Sequence, residues 1–155
     1  MTAAIVDLLT VIANERDRQH GADWKHCVEG GQIKGLLGEA EFQRVFGLPM
    51  DFQLRRGGDS GIDFWLPLYY SVDVKTAHKP DYLIQEQGKA TADIYVLAEY
   101  RGPDQLPKLL GWEWGSILRA TSCRDFGYGI LNHHIPRDRL QSIEYLLKRA
   151  TKSGR

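Results

Sequence analysis

A chain of 155 residues, 43% apolar and 26% charged, has the material for one soluble domain with a hydrophobic core of its own. Its 20 basic and 20 acidic side chains cancel, which excludes polyanion binding driven by whole-chain charge and leaves only a local nucleic-acid surface. No apolar run reaches the roughly 20 residues that span a bilayer. Two cysteines, Cys27 and Cys123, are too few for a disulfide framework, so reduced thiols in a cytoplasmic compartment are expected.

In chain order, Ile5, Leu8, Leu9 and Ile12 recur at spacings of three and four and predict a helix over 3–20, ended by Gly21. This opening lacks the basic lead and cleavage site of a signal peptide. A second helix is predicted over 32–46, stopped by Gly47 and Pro49. Gly35 and Gly38 inside it cost about 1 kcal/mol each against alanine. That cost makes sense where the helix backbone packs close to a sheet or a ligand. A short strand at 52–56, a GGDSG turn and strands at 62–66 and 70–76 follow, the last two joined at Pro67 as an antiparallel hairpin. Residues 81–88 read as a helical turn or loop. ADIYVLAEY, 92–100, reads as a buried strand because its apolar centre is continuous. A strand at 106–112, a short helix at 113–120 and an edge strand or ordered loop at 127–133 come next. An amphipathic helix at 137–150 carries Leu140, Ile143, Leu146 and Leu147 on one face, and 151–155 read as a disordered tail. The order implies one α/β domain over 1–150, a central mixed β-sheet flanked by helices.

Three charged residues stand inside apolar strand segments. In SVDVKT, alternation puts Val72 and Val74 on one face and Asp73 and Lys75 on the other. In GIDFWL, Ile62 and Phe64 face one way, Asp63 and Trp65 the other. If the strands pair, Asp63, Asp73 and Lys75 converge opposite the core. Two carboxylates that close repel each other unless a cation or proton lies between them, and a hard divalent ion prefers such oxygen ligands. The plain alternative for Asp73 and Lys75 is a solvated ion pair worth under about 1 kcal/mol. A third acid is available on the preceding helix: Glu39 lies in line with Leu36, Phe42 and Phe46, while Glu41 flanks Leu37 and Val45.

Glu39 in GEAEF, Asp63 in GGDSGIDF and the Asp73-Val74-Lys75 triplet, in that order, resemble the PD-(D/E)XK nuclease superfamily, the restriction-endonuclease-like fold, over about residues 32–101. Ile62 stands where the motif's proline would be. The resemblance lies nearest small phage and bacterial nucleases and implies a metal-dependent nuclease, a DNA endonuclease. Asp63, Asp73, the Val74 carbonyl and Glu39 would hold Mg²⁺ or Mn²⁺. Lys75 would position the attacking water and stabilise charge on the reacting phosphate. Arg55, Arg56, His78, Lys79 and Lys89 surround the centre in sequence and would contact DNA phosphates. Gln85 and Gln87 are weaker neighbours. Two alternatives share the scaffold: a Holliday-junction resolvase, which requires a homodimer, and a non-catalytic nucleic-acid-binding module.

Other clusters carry less. His133 and His134 beside Asn132 lack the flanking pattern of a His-Asn-His nuclease and read as a turn or edge-strand pair. His20, His26 and Cys27 make an incomplete zinc set. Trp24, Trp112 and Trp114 suit the core or its edge better than base stacking. Lys148, Arg149, Lys152 and Arg155 suit the negative end of the last helix or a backbone phosphate.

Overall fold

The computed structural model describes residues 7, 10–14, 31–48, 61–102 and 104–152. Helix α1, Gly31–Phe46, forms where the apolar spacing predicts it and buries Leu36, Leu37, Ala40 and Phe42. Gly47 stops it with φ of 64°. A Cβ on Gly38 would overlap the Thr76 hydroxyl, so this glycine is what lets the helix lie against a strand. Among the described residues nothing lies within 4 Å of such a Cβ at Gly35, which lacks that packing reason.

The strands are β1 Phe64–Leu66, β2 Tyr70–His78, β3 Tyr82–Glu86, β4 Ile94–Tyr100, β5 Lys108–Trp114, β6 Cys123–Asp125 and β7 Leu131–Pro136. Helix α2, Gly115–Arg119, follows β5, and α3, Ile143–Lys152, follows β7. One sheet has the order β1-β2-β4-β5, with β2 and β4 parallel and the outer pairs antiparallel. A second, antiparallel sheet has the order β3-β7-β6. Phe42 of α1 and Leu146 of α3 pack with Phe64, Val72, Val74, Ile94, Val96 and Trp112 on one face of the mixed sheet. On its other face, Tyr95 and Leu97 pack with Leu83, Ile135 and Leu118 of the second sheet and α2. The molecule is thus α/β with a mixed sheet. The longer helices α1 and α3 lie on one face, and a further sheet with the short α2 covers the other.

The connection from β2 to β4 departs from expectation. Residues 81–88 form strand β3 and a turn, not a helical turn or loop. In YLIQE, Leu83 and Gln85 are buried while Ile84 is exposed, a period of two. The segment expected at an edge is β7, which lies between β3 and β6 as the central strand. The last helix is shorter at its start. Arg137–Arg139 is a 3₁₀ turn, and Gln141 exchanges main-chain hydrogen bonds of 3.0 and 2.9 Å with Trp112. At its other end it runs through Thr151 and Lys152, so those two residues are helix rather than tail. The strand expected at 106–112 and the helix at 113–120 lie at Lys108–Trp114 and Gly115–Arg119.

Within the helix predicted over 3–20, Asp7 and residues 10–14 are helical. The rest of it lies outside the described residues. So do the strand at 52–56, most of the GGDSG turn, and Trp24, His20, His26 and Cys27. Among the described residues no helix is long and apolar enough to cross a membrane. The β1–β2 turn, Pro67–Tyr69, holds Leu68 and Tyr69 at φ of 67° and 61°. This left-handed backbone costs a residue with a side chain about 1–2 kcal/mol.

Candidate active site

The antiparallel register pairs Phe64 with Val72 and Leu66 with Tyr70. All but Tyr70 are fully buried against α1 and α3. Asp73 and Lys75 therefore point the other way, as alternation predicts. The parallel register sets Asp73 beside Tyr95 and Lys75 beside Leu97. Asp73 is only 4% exposed, and the Lys75 ammonium meets its Oδ2 at 2.7 Å. About a third of the Lys75 side chain, 34%, reaches solvent.

Asp63 immediately precedes β1. Its amide donates to the Val72 carbonyl at 2.8 Å, and its Oδ2 accepts from the Val74 amide at 2.7 Å. A side-chain oxygen thus takes the ladder position that a main-chain carbonyl would occupy. The N–H and C=O of a strand residue project to the same edge, so the Val74 carbonyl shares that edge with the Asp63 carboxylate. The hairpin brings Asp63, Asp73, Val74 and Lys75 to one end of the mixed sheet.

Burial works to lower the Lys75 pKa. The charge and hydrogen bond of Asp73, then the charge of Asp63, outweigh it, and the net direction is upward. Lys75 is therefore an ammonium at neutral pH. Tyr95, fully buried, has its phenol pKa raised by burial first; the hydrogen bond from the Ala92 amide at 3.2 Å works against this and the Asp73 charge adds to it. Tyr95 is a member of the site that strand alternation does not reveal, since its place depends on register with another strand. That register is stapled by Ser71 and Asp93. The Ser71 amide and hydroxyl donate to Asp93 Oδ2 at 2.9 and 2.8 Å, and the Asp93 amide donates back to Ser71 Oγ at 3.0 Å.

The helix acids behave differently. Glu41 is buried and bound by two nitrogens of Arg44 at 2.8 and 2.7 Å. Glu39 is half-buried and follows Gly38, the residue of α1 that meets Thr76. Among the described residues no three His, Cys, Asp or Glu side chains gather to hold a metal, so neither glutamate completes a set with Asp63 and Asp73. The donors that do share the hairpin, two carboxylates and one main-chain carbonyl, are all oxygen. They fit Mg²⁺ or Mn²⁺ in kind, and they lack the nitrogen and sulfur ligands that zinc prefers.

His78 and Lys79 are exposed where β2 ends. Lys89 is exposed and paired with Glu86 at 2.8 Å. Arg55 and Arg56 lie outside the described residues. Gln85 is buried and donates to the Lys89 carbonyl at 3.2 Å, while Gln87 is exposed. His133 has its Nδ1 at 3.0 Å from the Thr121 carbonyl, and both ring nitrogens lie 3.5–3.8 Å from Cys123 Sγ. The sulfur thus lies near both ring nitrogens rather than along one lone pair, unlike a nucleophilic dyad. His134 contacts the rings of Tyr82 and Phe126 on the other side of β7. Comparison with protein-family models, with curated proteins and with solved structures finds no match to this chain.

Proposed function

We propose that this chain is a divalent-metal-dependent nuclease that hydrolyses DNA phosphodiester bonds as an endonuclease, on a restriction-endonuclease-like core. In support, α1, the β1–β2 hairpin and the parallel β4 follow the order that the resemblance requires. The single observation that carries the reading is the buried Asp73 carboxylate, paired with a partly exposed Lys75, beside an aspartate that replaces a strand partner. Burying an ion pair costs desolvation that an apolar pair of the same size would avoid, so packing alone does not account for it.

Asp63, Asp73 and the Val74 carbonyl would hold Mg²⁺ or Mn²⁺, which supplies charge neutralisation at phosphate and an acidified water. The rest falls to the chain. Asp73 orients the Lys75 ammonium, which, holding its proton, stabilises negative charge on the reacting phosphate rather than acting as a base. Tyr95 and Leu97 close the space behind the pair against water. Exposed His78 and Lys79 lie within reach of the same strand for phosphate contact.

The test is a cleavage panel of duplex, nicked, flapped, four-way and single-stranded DNA, and RNA, with and without Mg²⁺ or Mn²⁺. Cleavage that requires the ion is expected, reduced at least about 100-fold by Lys75→Ala. A folded wild-type chain that cuts none of these substrates overturns the proposal. The second reading is a non-catalytic nucleic-acid-binding module, favoured by the absence of a third gathered carboxylate among the described residues. Calorimetry without any heat of divalent-ion binding would select it.

A further inference from the structure

Glu113 is a buried acid for which the proposed reaction has no use. It pairs in register with Tyr95, which pairs in turn with Asp73, so all three face the same side of the mixed sheet. Tyr95, fully buried, fills the ground between the two acids, so Glu113 belongs to a different site from Asp73. The Glu113 side chain is held on one oxygen only. Its Oε1 accepts from the Trp114 amide at 2.9 Å and from the Gln141 side-chain amide at 2.7 Å. Its Oε2 accepts no hydrogen bond among the described residues, although Glu113 is only 7% exposed. That oxygen is not sealed in, because the buried side-chain atoms without a partner among the described residues are Thr76 Oγ1 and His134 Nδ1 alone. It opens onto a cleft of about 490 Å³, lined also by Ile117, Thr121, Ser122, Pro136 and Arg139. The Thr121 hydroxyl is already engaged, donating to the Leu118 carbonyl at 2.7 Å and accepting from the His134 amide at 3.2 Å. The Ser122 hydroxyl and the exposed Arg139 guanidinium hold no hydrogen bond or ion pair among the described residues.

These walls define an occupant. A buried carboxylate oxygen without a donor calls for N–H groups. A guanidinium at the rim calls for an anion, and the Ile117 and Pro136 walls suit a flat apolar body. The volume is that of a small-molecule site. An amino acid carries both charges on one carbon and leaves much of such a volume empty. A nucleotide carries the ring, the N–H groups and the anion at separate points. Among the bases, guanine sets two adjacent N–H groups on its Watson–Crick edge, beside an O6 that can accept from the Ser122 hydroxyl. Uracil and thymine flank their one N–H with two carbonyls, which a carboxylate repels. We infer that this cleft binds a guanosine monophosphate unit, with the guanine N–H groups on Glu113 and the phosphate on Arg139. A free nucleotide and an unpaired nucleotide in a strand present the same edge. The inference goes beyond the nuclease reading and does not depend on it.

The test is calorimetry on the full chain without divalent ions, so its outcome is separate from any cleavage. The titrants are guanosine 5′-monophosphate, guanosine, uridine 5′-monophosphate and single-stranded DNA trinucleotides with guanine or adenine at the centre. Guanosine monophosphate is expected to bind at least about tenfold tighter than uridine monophosphate. In Glu113→Gln, the donors of Trp114 and Gln141 keep the amide oxygen on their side and turn the NH₂ toward the cleft. This variant should weaken guanosine monophosphate about tenfold and leave uridine monophosphate as it was. Arg139→Ala should weaken guanosine monophosphate about tenfold and leave guanosine unchanged. Arg139 is exposed, so its loss leaves the fold intact and this arm stands even where Glu113→Gln unfolds. No heat from guanosine monophosphate up to about 5 mM overturns the inference. So does equal weakening of the two monophosphates by Glu113→Gln, or of guanosine and its monophosphate by Arg139→Ala. With the inference upheld, a guanine trinucleotide that binds tighter than the mononucleotide assigns the unit to a strand, and the reverse order assigns it to a free nucleotide.

Discussion

Two glycines three residues apart in α1 are expected to respond oppositely to the same substitution. Gly35→Ala adds a methyl group where nothing among the described residues lies within 4 Å and removes backbone freedom, so it should stabilise by about 1 kcal/mol. Gly38→Ala drives a methyl group into the Thr76 hydroxyl and should destabilise by about 1–3 kcal/mol through overpacking. Urea denaturation of both variants measures the sign directly. Asp125 gives a pH-dependent counterpart. Its carboxylate accepts from the amides of Gly127, Tyr128 and Gly129 at 2.8–3.1 Å. Those bonds, Gly127 first, hold its pKa below the ordinary 3.8. Because the folded value is the lower one, the contribution is present above the unfolded pKa and is lost as pH falls through the folded value. Protection of the amides of residues 127–129, taken relative to their intrinsic exchange rates, should therefore fall below about pH 4, and Asp125→Asn should remove that dependence. The side chains at the site divide by what a single strand can reveal. Asp73 and Lys75 were legible because alternation decides which way they face, whereas Asp63 stands just before β1 and its carboxylate fills a ladder position at the Val74 amide that alternation does not predict. Tyr95 was not, because its place is set by a partner strand.

At the level of elements, α1, β1, β2 and β4 follow their sequence patterns closely, since each buries a stripe or an alternating face that is unbroken in the chain. YLIQE was hidden because only one of its two inward positions, Leu83, is apolar, and the other is a glutamine tied to its own turn. The 137–150 segment loses its first turn to Gln141, which pairs with Trp112. A Cβ at neighbouring Gly111 would meet Leu140 and the Gln141 carbonyl. The register of β2 against β4 has a small, specific lock in Ser71 and Asp93. A double-mutant cycle on Ser71→Ala and Asp93→Ala should give a coupling of about 1–2 kcal/mol. Near-zero coupling would mean that the register is set by the apolar pairs alone.

Across the whole molecule, zero net charge is combined with a site whose centre is acidic. Two aspartates repel phosphate, and the ammonium between them and solvent offsets only part of that charge. If the proposed function holds, affinity for duplex DNA should rise when Ca²⁺ or Mg²⁺ is added at constant ionic strength. Asp63→Asn with Asp73→Asn should flatten that rise. Fluorescence anisotropy on an uncut duplex measures both effects. Binding that weakens with the ion to the extent of simple screening would place DNA away from the hairpin.

The bond from the Val74 amide to Asp63 has a consequence beyond chemistry. Bare outer strands invite foreign chains to dock and grow into fibrils. Here β1 is three residues long, and the next donor along β2 is already taken by a carboxylate of the same chain. On the far side, Gln141 covers β5 at Trp112 with its main chain. The aspartate that serves the proposed reaction thus also occupies a β2 donor that an incoming strand would otherwise pair with.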